Sequence, residues 1–364
     1  MQAKHLGSGP SDTVMRGISG QQAAAALPAT LGVTYQRLDQ PFARTNAARG
    51  GGALAAIRFG LDTPANADNC DNPALAALTI DVGLEPLHGP PTAELWLAGG
   101  PVSTGQWSDA SSLARIRYAH DDHYVFAVVE LDEREHGGIL LTAERAYAAI
   151  QAFQQRSAFP HLLRMWNYMD AINEGTGDME RYRQFCVGRS RGLAIGAADV
   201  PSQSYPSASA LGRHRPDHLL QVFWLAGKAP GKAIENPRQV SAYHYPRVHG
   251  PVSPSFSRAL VAPDDTVLIS GTASIVGHVS QHHDDPMEQL EETVRNLEAL
   301  TSHVSRTRTP AGKDLLKIYV RDPALTPRIA ERLRQLYPQG EFLFVGADVC
   351  RRELLVEIEA VLAT

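Results

Sequence analysis

No two cysteines in this sequence stand at the spacing of a zinc site or a redox pair: Cys70, Cys186 and Cys350 are widely separated and odd in number. That argues against a disulfide framework and a structural zinc, and it fits a reducing compartment, with the cytoplasm as the expectation. Positive charge is not in excess either. With 34 Lys and Arg against 39 Asp and Glu, the net charge of -5 speaks against nucleic acid or an acidic membrane as partner, since both need a basic footprint. No apolar run reaches the ~20 residues of a membrane span. The opening MQAKHLGSGPSDTVMRGISG lacks the apolar core of a signal peptide, and its Gly, Ser and Pro content reads as a flexible tail over residues 1–30. GxSxG is missing, and RGGG (49–52) lacks the strand–glycine–helix setting of a nucleotide fingerprint, so it reads as a loop.

What is present describes a globular protein. Hydrophobic residues make up 43% and charged residues 20% of 364 positions, enough chain for two domains. The C-terminal half alternates clearly between periods. TVLISGTASI (266–275) reads as a strand, and DPMEQLEETVRNLEALTSHV (285–304) as an amphipathic helix opened by Asp285, Pro286 and Glu288. DLLKIYVRD (314–322) is a strand, PRIAERLRQLY (327–337) a helix, and EFLFVGADV and LLVEIEAVL are strands again. A similar order runs from HYVFAVVEL (123–131) through two helices to HLLQVFWLAG (218–227). LLRMWNYM resembles LLKIYVRD, and LLQVFWLAG resembles LLVEIEAVL, which points to an internal repeat. The expectation is an α+β fold of two similar domains, 31–235 and 236–364, each a sheet with helices packed on one face. A gapless alignment of the repeat sets Val222 and Trp224 where Glu357 and Glu359 stand, so the fold itself does not require carboxylates there.

In the terminal strand, Val356, Ile358 and Ala360 share one face and Glu357 and Glu359 the other. Two readings stand side by side: a solvated strand face, or a desolvated carboxylic acid kept protonated near neutral pH. Spacing does not say which glutamate would be the acid. The clusters HDDH (120–123) and HVSQHHDD (278–285) have no metal-ligand spacing and read as polar loops, with Asp285 better explained as a helix cap. The arginines 183, 189 and 191 and the segment NPRQVSAYHYPRVHGP (236–251) gather guanidinium and phenol groups, a combination suited to holding a carboxylate. Cys350 alone reads as a small buried hydrophobe.

ENPRQVSAYHYP, GPVSPSFSRA, ISGTASIVGH and the terminal ADVCRRELLVEIEAV together resemble the chorismatase family, from roughly residue 90 to the end. FSRA, ISG and VEIEA also resemble the broader RidA/YjgF superfamily, which has a chorismate mutase-like fold. The resemblance implies two RidA-like domains with the site in the second, no metal and no organic cofactor. It implies chorismate as substrate, cleaved to pyruvate and 3-hydroxybenzoate and/or 4-hydroxybenzoate, most like the members that make both, and Glu357 as the acid that protonates the enol ether methylene. Glu359 then becomes a neighbour that raises the acid's pKa, or a surface residue. By motif match, Arg238, Tyr243, Tyr245, Tyr205, Arg258 and Arg321 are the candidates for binding the substrate's carboxylates. Ala259 and Cys350 align to the positions that track product type, alanine pointing to a hydrolytic product and cysteine to hydroxybenzoate. The arginine with which RidA proteins hold a carboxylate falls near Leu343 and Phe344 and is missing, which weighs against an imine deaminase. Hydrolysis to a dihydroxycyclohexadiene carboxylate and a non-catalytic metabolite-binding protein are the alternatives, and a monomer or homotrimer is the expected assembly.

Overall fold

The computed structural model describes residues 30–40, 52–60, 77–109, 114–195, 205–304 and 314–362. Nearly all of the expected tail, Cys70 and the glycine run up to Gly51 fall outside them. Three sheets carry the architecture. The first consists of β1 (Gly32–Arg37), β2 (Ala53–Phe59), β3 (Leu78–Asp81) and β4 (Thr92–Leu97) in the order β1-β4-β2-β3. The second is built from β5 (Ser103–Asp109), β6 (Ala114–His120), β7 (Tyr124–Asp132), β8 (His161–Asp170), β9 (Ser207–Arg213) and β10 (Leu219–Gly227). The third comprises β11 (Lys232–Ile234), β12 (Ala259–Val261), β13 (Val267–Ala273), β16 (Asp314–Val320), β17 (Glu341–Gly346) and β19 (Val356–Leu362). A small hairpin, β14 (Ile275–Val276) with β15 (Val279–Ser280), follows β13. The short β18 (Asp348–Val349) leaves the third sheet and pairs with β9, at the edge of the second.

The second sheet runs β9-β8-β10-β7-β6-β5 and the third β17-β16-β19-β13-β12-β11, so the two orders coincide strand for strand. Each has one parallel pair, β8 with β9 and β16 with β17, while the pairs along the rest of each row are antiparallel. Helices α1 (Glu133–His136), α2 (Ile139–Arg156) and α3 (Arg181–Ala194) belong to the second sheet's half, α4 (Pro286–Val304) and α5 (Thr326–Leu336) to the third's. The fold is thus mixed α+β, and each expected strand and helix of both repeats forms within a few residues of its expected bounds. Asp285 caps α4 as its sequence implied, its Oδ1 accepting from the Met287 and Glu288 amides at 3.0 Å. Gly188 lets α3 touch α2, since a Cβ there would lie 2.0 Å from the Leu140 carbonyl oxygen. The range 31–235, read from sequence as one unit, holds two sheets, because β1 to β4 form a layer of their own, and it also includes β11, the edge strand of the third.

Three cores result. One lies under α2 and α3, one under α4 and α5, and one between sheets, where Trp96, Phe126, Trp166, Phe223 and Tyr319 meet. Val356, Ile358 and Ala360 enter the α4/α5 core, which turns Glu357 and Glu359 toward the second sheet. The gapless repeat alignment is therefore one residue out. Lys317 pairs with Glu359 as Arg164 pairs with Leu225, and Tyr319 pairs with Glu357 as Trp166 with Phe223. Phe223 and Leu225 are the counterparts of the two glutamates, whereas Val222 and Trp224 face helices. Among the described residues no helix is long and apolar enough to cross a membrane.

Candidate active site

Glu357 sits on β19 between Tyr319 of β16 and Ala273 of β13. A bulge in β13, where the register with β19 shifts between Ile269 and Thr272, makes room for its carboxyl group. Gly271 lies in that bulge. A Cβ on it would stand 1.9 Å from Glu357 Oε1, so only glycine leaves the space the acid occupies. Glu357 is 4% exposed, and its carboxyl has no hydrogen-bond partner among the described residues. Burial pushes its pKa up to about 8, the negative charge of Glu359 adds to the rise, and Arg164 and Arg258 oppose it. An acid in this setting holds its proton at neutral pH and offers it to whatever enters.

Glu359, two residues on, is no surface group: it is 5% exposed and caged. Its Oε1 accepts from Lys317 Nζ at 2.7 Å and Trp166 Nε1 at 2.9 Å, its Oε2 from Arg164 Nη2 and Ser209 Oγ, both at 2.6 Å. Burial alone would raise its pKa, but Lys317 and Arg164 outweigh burial and hold it at about 2. Lys317 also meets Glu94 at 2.6 Å, and Trp96 Nε1 donates to Glu94 at 2.8 Å. Two adjacent carboxylates of one strand face therefore differ in charge state because one is caged by cations and the other is not.

The acid stands where two cavities meet. A cleft of about 150 Å³ is lined by Tyr245, His249, Phe256, Arg258, Arg351 and Glu357, among others. An adjoining recess of about 40 Å³ shares Glu357, Cys350, Phe256, Tyr182 and Gly271 with the cleft, and adds Asn167, Arg189 and Ser209. Tyr245 lies between two guanidinium groups: Arg258 Nη2 donates to its hydroxyl at 2.7 Å, and Arg351 lies 5.2 Å from its ring centre. Burial and the neighbouring Arg351 drive the His249 pKa down to about 4, so this imidazole is neutral at pH 7, with Nε2 3.0 Å from His278 Nδ1. Burial pushes the Cys350 thiol up to about 12, which keeps it an uncharged wall.

Of the residues expected from sequence, Glu357, Tyr245, Arg258 and Cys350 come together here. The others lie elsewhere. Arg238 donates to Glu292 at 2.5 Å and to Asn296 at 2.6 Å, both on α4, and is consumed by them. Arg321 binds Asp348, Asn173 and the carbonyls of Val349, Arg351 and Leu354; it fixes the turn that carries Cys350 and Arg351 and does not line the cleft. Tyr205 and Tyr243 contact each other, ring centres 5.5 Å apart, and neither is among the residues that line the cleft. Ala259 is fully buried in the α4/α5 core, because neighbours on a strand point to opposite faces and Arg258 has the cleft side. Sequence reasoning missed Arg351, His249 and the Lys317–Arg164 cage. The cage had a signal: Arg164 and Lys317 are the lone cations in LLRMW and LLKIY, at equivalent places of the repeat.

A neutral carboxylic acid facing a cation-lined cleft is equipped to protonate an anionic small molecule. Comparisons with known proteins agree on the class. Residues 94–226 match the family described as chorismatase FkbO/Hyg5-like, N-terminal. A 3-hydroxybenzoate synthase of Streptomyces hygroscopicus is 32% identical over 288 residues, 74% of this chain and 81% of the relative. A chorismatase of Streptomyces rapamycinicus is 34% identical over 290 residues, covering 74% and 82% of the two chains. A chorismatase crystal structure superimposes with a TM-score of 0.76 at 27% identity, covering 93% of this chain and 100% of that one.

Proposed function

This chain belongs to the chorismatase family of chorismate-cleaving enzymes, and from that premise we propose that it splits the enolpyruvyl ether of chorismate into pyruvate and a hydroxybenzoate, with Glu357 as the acid. The observation that carries the proposal is a buried, uncaged carboxyl group, its pKa raised to about 8, at the junction of two cation-lined cavities. The basic atom of an enol ether is its terminal methylene carbon. Protonation there by Glu357 makes an oxocarbenium ion, and cleavage of the bond between ring carbon and ether oxygen then releases pyruvate as a neutral ketone group bearing its carboxylate. The ring carbon left electron-poor is satisfied by the ring's own hydroxyl and by loss of a ring proton. Hydroxybenzoate and pyruvate together account for every atom of chorismate, so the reaction consumes no water. The Glu357 carboxylate formed in the first step is a base already in place for the ring proton.

Arg258, Arg351 and Tyr245 supply the charge and the neutral donor that hold a substrate carboxylate in the cleft. Cys350 borders both cavities beside the acid, where its bulk governs whether water reaches the reacting ring carbon. Its presence, together with a 3-hydroxybenzoate synthase among the relatives, favours the aromatic product over a dihydroxycyclohexadiene carboxylate. The test is incubation with chorismate, with pyruvate followed enzymatically and the ring product by chromatography. Pyruvate and hydroxybenzoate in equal amounts are expected, and E357Q is expected to yield neither above background. Full activity in E357Q would refute the acid, a diene acid would refute the aromatic outcome, and binding without turnover would leave only a metabolite-binding protein.

A further inference from the structure

We propose that the recess adjoining Glu357 is a second carboxylate subsite, with Arg189 as its cation. This inference deepens the cleavage reading above and rests on it. Five cationic side chains are buried among the described residues: Arg164, Arg189, Arg213, Arg258 and Lys317. Three of them have carboxylate partners, Arg164 in Glu359, Lys317 in Glu359 and Glu94, and Arg213 in Asp217 at 3.3 Å. Arg189 and Arg258 have none within ion-pair distance among the described residues, and the Nε of each lacks any hydrogen-bond partner. A buried guanidinium that no carboxylate contacts is costly, and the protein keeps two of them, with Glu235 near Arg258 but not in ion-pair contact. Both line the cavities that flank Glu357, Arg258 the cleft and Arg189 the recess.

Arg189 is set in place, not loose. It is 5% exposed, its Nη2 donates to the Ser255 carbonyl, and its guanidinium lies 5.4 Å from the centre of the Tyr147 ring. The recess, about 40 Å³, is room for a carboxylate group but not for a six-membered ring, since a single water needs ~10–15 Å³ by the same measure. Asn167 and Ser209 beside it are already committed, Asn167 Nδ2 donating to the Ser209 carbonyl at 3.0 Å and Ser209 Oγ to Glu359. Beside the neutral acid Glu357, the free donor that can take an anion in the recess is therefore Arg189, the one cation among its lining residues. Chorismate carries two carboxylates, and a molecule that reaches both unpaired arginines must pass Glu357, because the acid belongs to both cavities. Held at both ends, the substrate has its enol ether stretched past the proton donor.

Either of the substrate's carboxylates, the one that leaves on pyruvate or the one that stays on the ring, satisfies this chemistry, and the products tell them apart. Calorimetric titration of wild type, R189Q and R189K with pyruvate and, separately, with 3-hydroxybenzoate is the test. R189Q is expected to weaken one of the two ligands by about tenfold to a hundredfold, the scale of a lost charged hydrogen-bond pair, and to leave the other within about twofold. R189K, with the charge but not the fork, is expected to lose less of the same ligand, and it carries the comparison by itself if R189Q does not fold. Unchanged affinities in both variants, equal weakening of both ligands, or a wild type that binds neither would overturn the subsite. A wild type that binds these ligands but releases no pyruvate from chorismate would instead defeat the cleavage reading and leave the subsite standing.

Discussion

Replacing Glu359 by glutamine removes a charge without removing the proposed acid, and its consequence can be worked out from the strand. Alternate residues on one face lie about 6.6 Å apart, twice the ~3.3 Å rise. At an effective dielectric constant of ~20, two unit charges at that distance interact by roughly 2.5 kcal/mol, or nearly two pKa units. Glu359 is anionic throughout any practical assay, because its pKa is held at about 2. E359Q should therefore bring Glu357 from about 8 to the neighbourhood of 6. Glu357 acts only when protonated, so the basic limb of the pH profile of kcat/KM should move down by nearly two units. At pH 7 the variant should be about tenfold slower, and at pH 5 it should approach wild type. The double variant E359Q/R164M should recover part of the shift, since Arg164 is one of the two cations that pull the Glu357 pKa down. The assay is pyruvate release from pH 5 to 9, with E359Q kept cool, because breaking a buried charge cluster costs about 3–5 kcal/mol of stability. An equal loss of rate at every pH, with the limb unmoved, would refute the electrostatic role.

Four further outcomes follow from the same geometry. Glu357 binds its proton more tightly folded, at about 8, than unfolded, at 4.5, so its stabilising contribution is full at low pH and disappears as pH rises through that window. E357Q should gain on wild type by up to roughly 5 kcal/mol between pH 4.5 and 8 in urea denaturation. G271A forces the Glu357 carboxyl from its place and should lower kcat by about a hundredfold in the pyruvate assay, with KM much less affected. R321A frees the turn that carries Cys350 and Arg351, and denaturation should register a loss of about 2–4 kcal/mol alongside reduced turnover. Exchanging Cys350 for alanine should change the partition between ring products by an amount worth ~1–3 kcal/mol, read by chromatography.

The pattern of apolar and polar residues disclosed both repeats, the cap at Asp285 and the face shared by Glu357 and Glu359, because each follows from a local period. What it did not disclose was partnership. Arg238, Arg258 and Arg321 look alike in a chain of letters, and only the fold shows that Glu292 and Asp348 claim two of them. Ala259 is a different kind of miss. Strand parity already forbids Arg258 and Ala259 from facing the same cavity, and the motif match overrode it. The one-residue slip in the repeat has the same root, since matching the LL letters ignored which neighbours β10 and β19 pair with. The layer formed by β1 to β4 has short strands interrupted by long segments, and little in its sequence announced it.

Glu94, Arg164, Lys317 and Glu359 come from all three sheets and sum to zero charge. Their mutual dependence bears on how this sequence can change over time. A substitution at any one of them leaves a buried charge stranded, so single steps are selected against while a concerted swap, cation and anion together, is admissible. Drift at these four positions should be epistatic: wherever a descendant lineage has lost one, at least one other should be gone as well. The quartet would then behave as one heritable character spread over 266 positions of the chain, from residue 94 to residue 359 inclusive.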